Sequence, residues 1–144
     1  MLGRGMAGLP SLTDVFDEFD LLDGEDRYRL LIDLGRKLEP MSDALKTEAT
    51  KVRGCSASVW VYPTVADGRL HFLADSNAAI TKGIVALILA AVQDKPASEV
   101  AALDVAAALA PFELGKHLSA NRTQGVPNMI ELVRETARRY AAAA

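Results

Sequence analysis

The stretch Val59 to Ala74, VWVYPTVADGRLHFLA, constrains the fold more than any other part of the chain. Val59, Trp60, Val61 and Tyr62 are β-branched or aromatic, the residue types that fit a pleated, half-buried surface. Asp67-Gly68 is a tight hairpin signal. Arg69 to Ala74 then returns with Leu70, Phe72 and Ala74 on one face. A two-stranded ribbon cannot bury that face alone, so whatever flanks it must cover it.

The flanks are helical. In SLTDVFDEFDLL, Leu12, Val15, Phe16, Phe19 and Leu22 recur on one helix face, and Asp14, Asp17 and Glu18 lie opposite. Ser11, with Asp14 three residues on, makes a capping-box-like start, and Asp23-Gly24 ends the segment. A second helix is expected over Glu25 to Leu38, with Tyr28, Leu31, Leu34 and Leu38 inward and Pro40 as its stop. Residues 39–50 are polar and irregular and read as loop, while Lys46 to Arg53 is the candidate for an earlier strand. After the hairpin, a helix is expected over Asn77 to Asp94, a short alanine-rich stretch over Ser98 to Ala110 broken by Pro111, and a last helix over Arg122 to Tyr140. That helix has Ile130, Val133, Ala137 and Tyr140 inward, with Asn121 and Gln124 as a capping box. Helices, sheet, helices is an α+β pattern: a small antiparallel sheet of about three strands covered on one face by helices. The 144 residues suffice for one core. Residues 10–144 read as a single domain and residues 1–9 as a flexible tail.

Several function classes drop out. A net charge of −3, with no basic stripe, gives no footprint for nucleic acid. The longest apolar run, Ile84 to Val92, is far short of the roughly 18 residues of a membrane span, and the N-terminus has no signal-peptide core. No glycine-rich phosphate loop follows a strand. One cysteine excludes an internal disulfide and an all-cysteine metal or cluster site, and fits a reducing, cytoplasmic setting.

That cysteine, Cys55, lies in KVRGCSASVW just before the hairpin. Most lone cysteines are buried fillers. Here Gly54 permits a positive-φ turn, Ser56 and Ala57 leave room for a partner, and Lys51 and Arg53 put positive charge nearby, which favours thiolate. His71 is expected on the solvent face of its strand, whereas His117, before the last helix, is the better candidate for a place near a site. Neither histidine stands at metal-ligand spacing from Cys55, and no catalytic pair can be assigned. Arg122, at the expected start of the last helix, opposes the helix dipole, and it reads either as a docking or site residue or as a surface charge. Asp75 reads as a cap for the helix after the hairpin or as a support for the cysteine loop. Trp60 and Tyr62 read as sheet-face packing and Gly83 as a point of close approach.

Four segments in order, RYRLLIDLGRKLEP, VRGCSASVW, DSNAAITKGI and HLSANRTQGVPNMI, resemble the SufE family, the sulfur acceptors of cysteine desulfurases in iron–sulfur cluster assembly. The resemblance implies a fold similar to the iron–sulfur scaffold proteins, with Cys55 as the residue that takes sulfur as a persulfide. The implied partners are a pyridoxal-phosphate cysteine desulfurase, which the protein stimulates, and an iron–sulfur scaffold complex that receives the sulfur. The chain itself needs no resident cofactor beyond the transient persulfide. Arg53, Gly54, Ser58, Asp75, His117 and Arg122 are the supporting or docking candidates. The chain has Ala57 where the family commonly has serine, so Ser56 or Ser58 is the substitute, and Asn77 where aspartate is frequent. An iron–sulfur scaffold is disfavoured by the single cysteine. A paralogous acceptor serving another desulfurase, or an interaction module with a structural cysteine, are the alternatives. A homodimer is compatible with the sequence, though nothing in it marks an interface.

Overall fold

The computed structural model describes residues 8–143. Most of the tail expected over residues 1–9 lies outside them; Leu9, at its end, packs against the core.

Helix α1 spans Leu12–Leu21, and the Ser11 hydroxyl accepts the Asp14 N–H at 3.1 Å, the expected cap. Val15 and Phe19 are buried and Leu12 and Phe16 pack at the core margin, so the sequence period is realised. Helix α2, Gly24–Gly35, ends earlier than expected. Lys37 and Leu38 donate to Leu34 and Gly35, three residues back, so the last turn tightens yet still buries Leu38.

Strand β1, Val59–Ala66, pairs antiparallel with β2, Arg69–Ser76, in a register running from Val59 opposite Ser76 to Ala66 opposite Arg69. The two turn residues, Asp67 and Gly68, have φ of 55° and 76°, the left-handed pair that matches strand twist in a two-residue hairpin. Val59, Val61, Leu70, Phe72 and Ala74 are buried on one face, while Trp60, Tyr62, His71 and Leu73 on the other are partly open to solvent. The third strand is not the one expected. Lys46 to Arg53 contributes only a bridge from Lys51 to Trp60, flanked by hydrogen bonds from Val52 N–H to Val59 and from Val61 N–H to Thr50, each 2.8 Å. Thr50 turns its hydroxyl back onto the Leu45 carbonyl at 2.6 Å, which bends the segment out of strand geometry. Strand β3 is Lys95–Pro96, beside β2, and the sheet order is β1-β2-β3.

Helix α3, Ala79–Val92, is the central helix of the core, with Ile84 through Leu89 all at most 2% exposed. It meets α2 at two glycines. A Cβ on Gly83 would run into the Leu31 carbonyl, and one on Gly35 would stand 2.9 Å from the Gly83 nitrogen. The expected close approach at Gly83 is there, and small residues on both sides are what permit it. The expected alanine-rich stretch is two short helices, α4 (Ala97–Ala102) and α5 (Val105–Leu109), because Asp104 between them caps the Ala107 N–H at 3.0 Å. Helices α6 (Leu114–His117) and α7 (Ala120–Thr123) follow, and the long α8 runs over Val126–Ala143. Its inner face carries Met129, Val133, Thr136 and Ala137, with Ile130 and Tyr140 at the margin.

The chain therefore has the expected architecture, a three-stranded antiparallel sheet with helices on one face. No helix among the described residues is long and apolar enough to cross a membrane.

Candidate functional site at the Cys55 loop

Residues 53–58 connect the Lys51 bridge to β1 and carry Cys55. Gly54 has φ of 83°, a conformation that a side chain would strain, and a Cβ there would also collide with the Asn128 amide nitrogen. The turn is thus possible because this residue is glycine. The next residue projects its sulfur toward the link between α7 and α8.

Four hydrogen bonds that involve side chains hold the loop, beside a backbone bond from the Asn77 N–H to the Ser58 carbonyl at 3.3 Å. Asn128 donates its side-chain amide to the Arg53 carbonyl at 2.8 Å. The Ser56 hydroxyl donates to the Asn121 carbonyl at 2.9 Å and accepts from Gln124 Nε2 at 3.0 Å. The Ser58 N–H donates to Asn77 Oδ1 at 3.1 Å, so an amide oxygen supplies what an aspartate would. All four face solvent, where water competes and each contributes about 1 kcal/mol or less. The sulfur forms no hydrogen bond among the described residues.

Cys55 is half-buried and packs against the edge of the core. Burial pushes its thiol above the ordinary value. This corrects the expectation that Lys51 and Arg53 favour thiolate. Both side chains point into water, where their fields are screened, and desolvation of the sulfur prevails.

The other candidates divide. Arg53, Gly54 and Ser58 are in the loop, and Arg122 follows the Asn121 that holds Ser56. Arg122 lies in α7, however, and not at the start of α8, so the supposed opposition to a long helix dipole disappears. The expected Asn121–Gln124 capping box is absent as well, since Gln124 turns to Ser56 instead. Lys51, Arg53 and Arg122 are exposed and form no ion pair among the described residues.

Asp75 is not a helix cap. It sits in β2 opposite Trp60, with Oδ2 2.8 Å from Lys46 Nζ and Oδ1 3.1 Å from Lys82 Nζ. Lys46 in turn lies 5.6 Å from the centre of the Trp60 ring. Desolvation would raise the Asp75 carboxyl, but hydrogen bonds from Lys46, the Ser76 N–H and Lys82 outweigh it and hold it below the usual value. Asp75 thereby ties the segment before the cysteine loop to the sheet and to α3.

His117 is engaged away from the cysteine. Its Nε2 accepts from Arg27 Nη1 at 2.8 Å, its ring meets Phe19 edge-on, and its carbonyl accepts the Tyr28 hydroxyl at 2.9 Å. His71 is on the open face of its strand, as expected, and Asp94 and Glu39 bind its two ring nitrogens there. A groove of about 720 Å³ runs past His71, Leu38 and Leu9, and none of its lining residues belongs to the cysteine loop.

Sequence reasoning missed Ser56's role as a tether, Gln124, Gly125 and Asn128. The last three lie in the quoted segment HLSANRTQGVPNMI, but their contacts reach back about 70 residues to the loop and leave no local signal.

Comparison with known proteins places the chain among relatives of one kind. The family model described as SufE, Fe-S metabolism associated domain, matches residues 13–137. An uncharacterized SufE-like protein of Rhizobium etli is 40% identical over 140 residues, covering 94% of this chain and 95% of its own length. Another from Rhizobium meliloti is 36% identical over 134 residues, covering 90% and 96%. The solution structure of a hypothetical protein from Thermus thermophilus superposes with a TM-score of 0.74 at 17% identity, over 94% of this chain and 98% of that one, and so shares the fold.

Proposed function

The chain belongs to the SufE family, and on that premise we propose that it is a sulfur acceptor and carrier for iron–sulfur metabolism, with Cys55 as the carrier residue. In this reading Cys55 takes the outer sulfur of a persulfide on a cysteine desulfurase and so restores that enzyme for another turnover. It then passes the sulfur to an iron–sulfur scaffold, in a reducing cytoplasmic setting.

The first step is an exchange between sulfurs. The Cys55 thiol releases its proton, and the thiolate attacks the outer sulfur of the donor persulfide. A new sulfur–sulfur bond forms on Cys55, the bond to the donor cysteine breaks, and that cysteine leaves as thiolate and takes up a proton. No net oxidation occurs. Delivery to the scaffold repeats the exchange with Cys55 as donor. Arg53 and Arg122, with Lys51, are the free cations beside the loop that would meet an acidic surface on the partner. Gly54 shapes the turn, Ser58 anchors its exit, and Asp75 braces the segment leading into it. His117 has no part in this chemistry.

The observation that carries the reading is the setting of Cys55. The only sulfur nucleophile of the chain stands at a glycine turn, half-open to solvent, on a loop fastened by solvent-facing hydrogen bonds. A structural cysteine has no need of such a mount. The test is intact mass after incubation with a cysteine desulfurase and free cysteine. A reductant-sensitive gain of one sulfur on the wild type and none on Cys55→Ser is expected. An unmodified wild type, beside desulfurases shown to be active, overturns the reading.

A further inference from the structure

Gly125 is buried at the junction of α7 and α8, and its carbonyl accepts the Met129 N–H at 3.0 Å, which makes it the first capping residue of α8. Its φ lies outside the left-handed range, so the backbone alone does not require glycine there. Space does. A Cβ on Gly125 would overlap Cys55 Sγ and stand 3.1 Å from both Cα and Cβ of Cys55. Asn77, Asn121, Gln124 and Asn128 bind the loop on either side of this contact and keep the sulfur in the gap.

We propose that Gly125 is a positioning residue for Cys55: its missing side chain forms the notch in which the sulfur rests, and occupancy of that notch sets how fast the sulfur reacts. The proposal deepens the sulfur-carrier reading by naming what restrains the carrier between transfers, and it rests on that reading for its biological meaning. Its physical content is independent of any desulfurase.

The argument is one of volume and solvation. The notch withdraws one side of the sulfur from water, and withdrawal favours the neutral thiol over the reactive thiolate. Any side chain at position 125 occupies the space that the sulfur now fills. The loop must then lift, and because its tethers face solvent, it lifts toward water. A helix-capping role makes the opposite prediction for one substitution. Serine is a better capping residue than glycine, whereas alanine is a worse one. If capping alone matters, Gly125→Ser is neutral or stabilising and Gly125→Ala is not. If the notch matters, both displace Cys55.

The experiment is the pH dependence of iodoacetamide alkylation of Cys55 in the full chain, read by intact mass. In that reaction the thiol gives its proton to solvent, the thiolate forms a carbon–sulfur bond, and iodide leaves. Both Gly125→Ser and Gly125→Ala are expected to alkylate roughly tenfold faster than wild type at pH 7, with half-maximal rate at lower pH. A wild-type rate and profile in either variant, with circular dichroism showing it folded, overturns the proposal. Should the variants fail to fold, the same substitutions are made with Cys55→Gly, which empties the gap. Recovery of folding in that background supports the notch, and failure in both backgrounds overturns it. Neither arm uses a sulfur donor, so a failed sulfur-transfer assay and a failed notch are told apart.

Discussion

Asn128 donates its side-chain amide to the carbonyl oxygen of Arg53 at 2.8 Å, across 75 residues of chain. The same amide fills the space that a side chain on Gly54 would need. The two residues thus lock the entry to the cysteine loop by one polar bond and one steric fit. Asn128→Ala removes the bond at a solvent-facing site and is expected to lower stability by only about 0.5–1 kcal/mol. It also frees the loop entry, so Cys55 alkylation accelerates. A thermal melt paired with an alkylation time course checks both; an unchanged alkylation rate would show that the bond does not restrain the loop.

Gly54→Ala addresses the same turn from the other side. At a φ of 83° an added methyl is strained, and it must also displace the Asn128 amide. A destabilisation of roughly 1–3 kcal/mol is expected in chemical denaturation. A smaller effect would mean that the loop readily adopts another path.

The two-glycine contact between α2 and α3 gives a prediction for the core. Gly83→Ala drives a methyl into the Leu31 carbonyl, where backbone stands on both sides and neither helix can yield without moving its neighbours. A loss of about 2–3 kcal/mol is expected, which for a chain of this size lowers the melting temperature by roughly 5–10 °C. Calorimetry measures it directly.

Asp75 supplies a pH prediction. Its folded pKa is lowered from 3.8, so its stabilisation is fully present above that value and is lost as pH falls through the lower folded value. Asp75→Asn is therefore expected to be less stable than wild type by about 1–2 kcal/mol at pH 7, less at high salt. The gap closes as pH drops below about 4. A gap that stays constant down to pH 3 would contradict the assignment.

His71 runs in the opposite sense. Burial would lower it, but Asp94 and Glu39 outweigh burial and raise it above 6.5. Its stabilisation is complete below pH 6.5 and declines as pH rises through the raised folded value. Compared with His71→Gln, the wild type is expected to hold its largest advantage near pH 5.5 and to lose it toward alkaline pH. Denaturation midpoints of both proteins across that range test the sign.

What the sequence made legible follows from range. The Ser11 cap, the hairpin turn at Asp67-Gly68 and the inward faces of α1, β2 and α8 are set by residues a few positions apart, and all are present. Strand β3 is two residues long and contains Pro96, so it carries no alternation to read. The break at Gly125 goes unread because residues 121–124 are all polar and carry no apolar period whose end would mark where the last helix starts. Lys51 and Arg53 are neighbours of Cys55 along the chain, yet their charges face water while the sulfur faces protein. Proximity in sequence says nothing of that difference. The family resemblance located Cys55; the residues that hold it became visible only once the far end of the chain was folded against it.

That arrangement bears on how the protein is made. Every partner of the loop from Asn121 to Asn128 lies in the last quarter of the chain. A polypeptide growing from its N-terminus completes the hairpin and α3 long before those residues exist. Throughout that interval Cys55 has neither its notch nor three of the four side-chain tethers of its loop. The newborn chain is accordingly most vulnerable to stray oxidants during synthesis, and its final helix closes the seat that shelters the thiol.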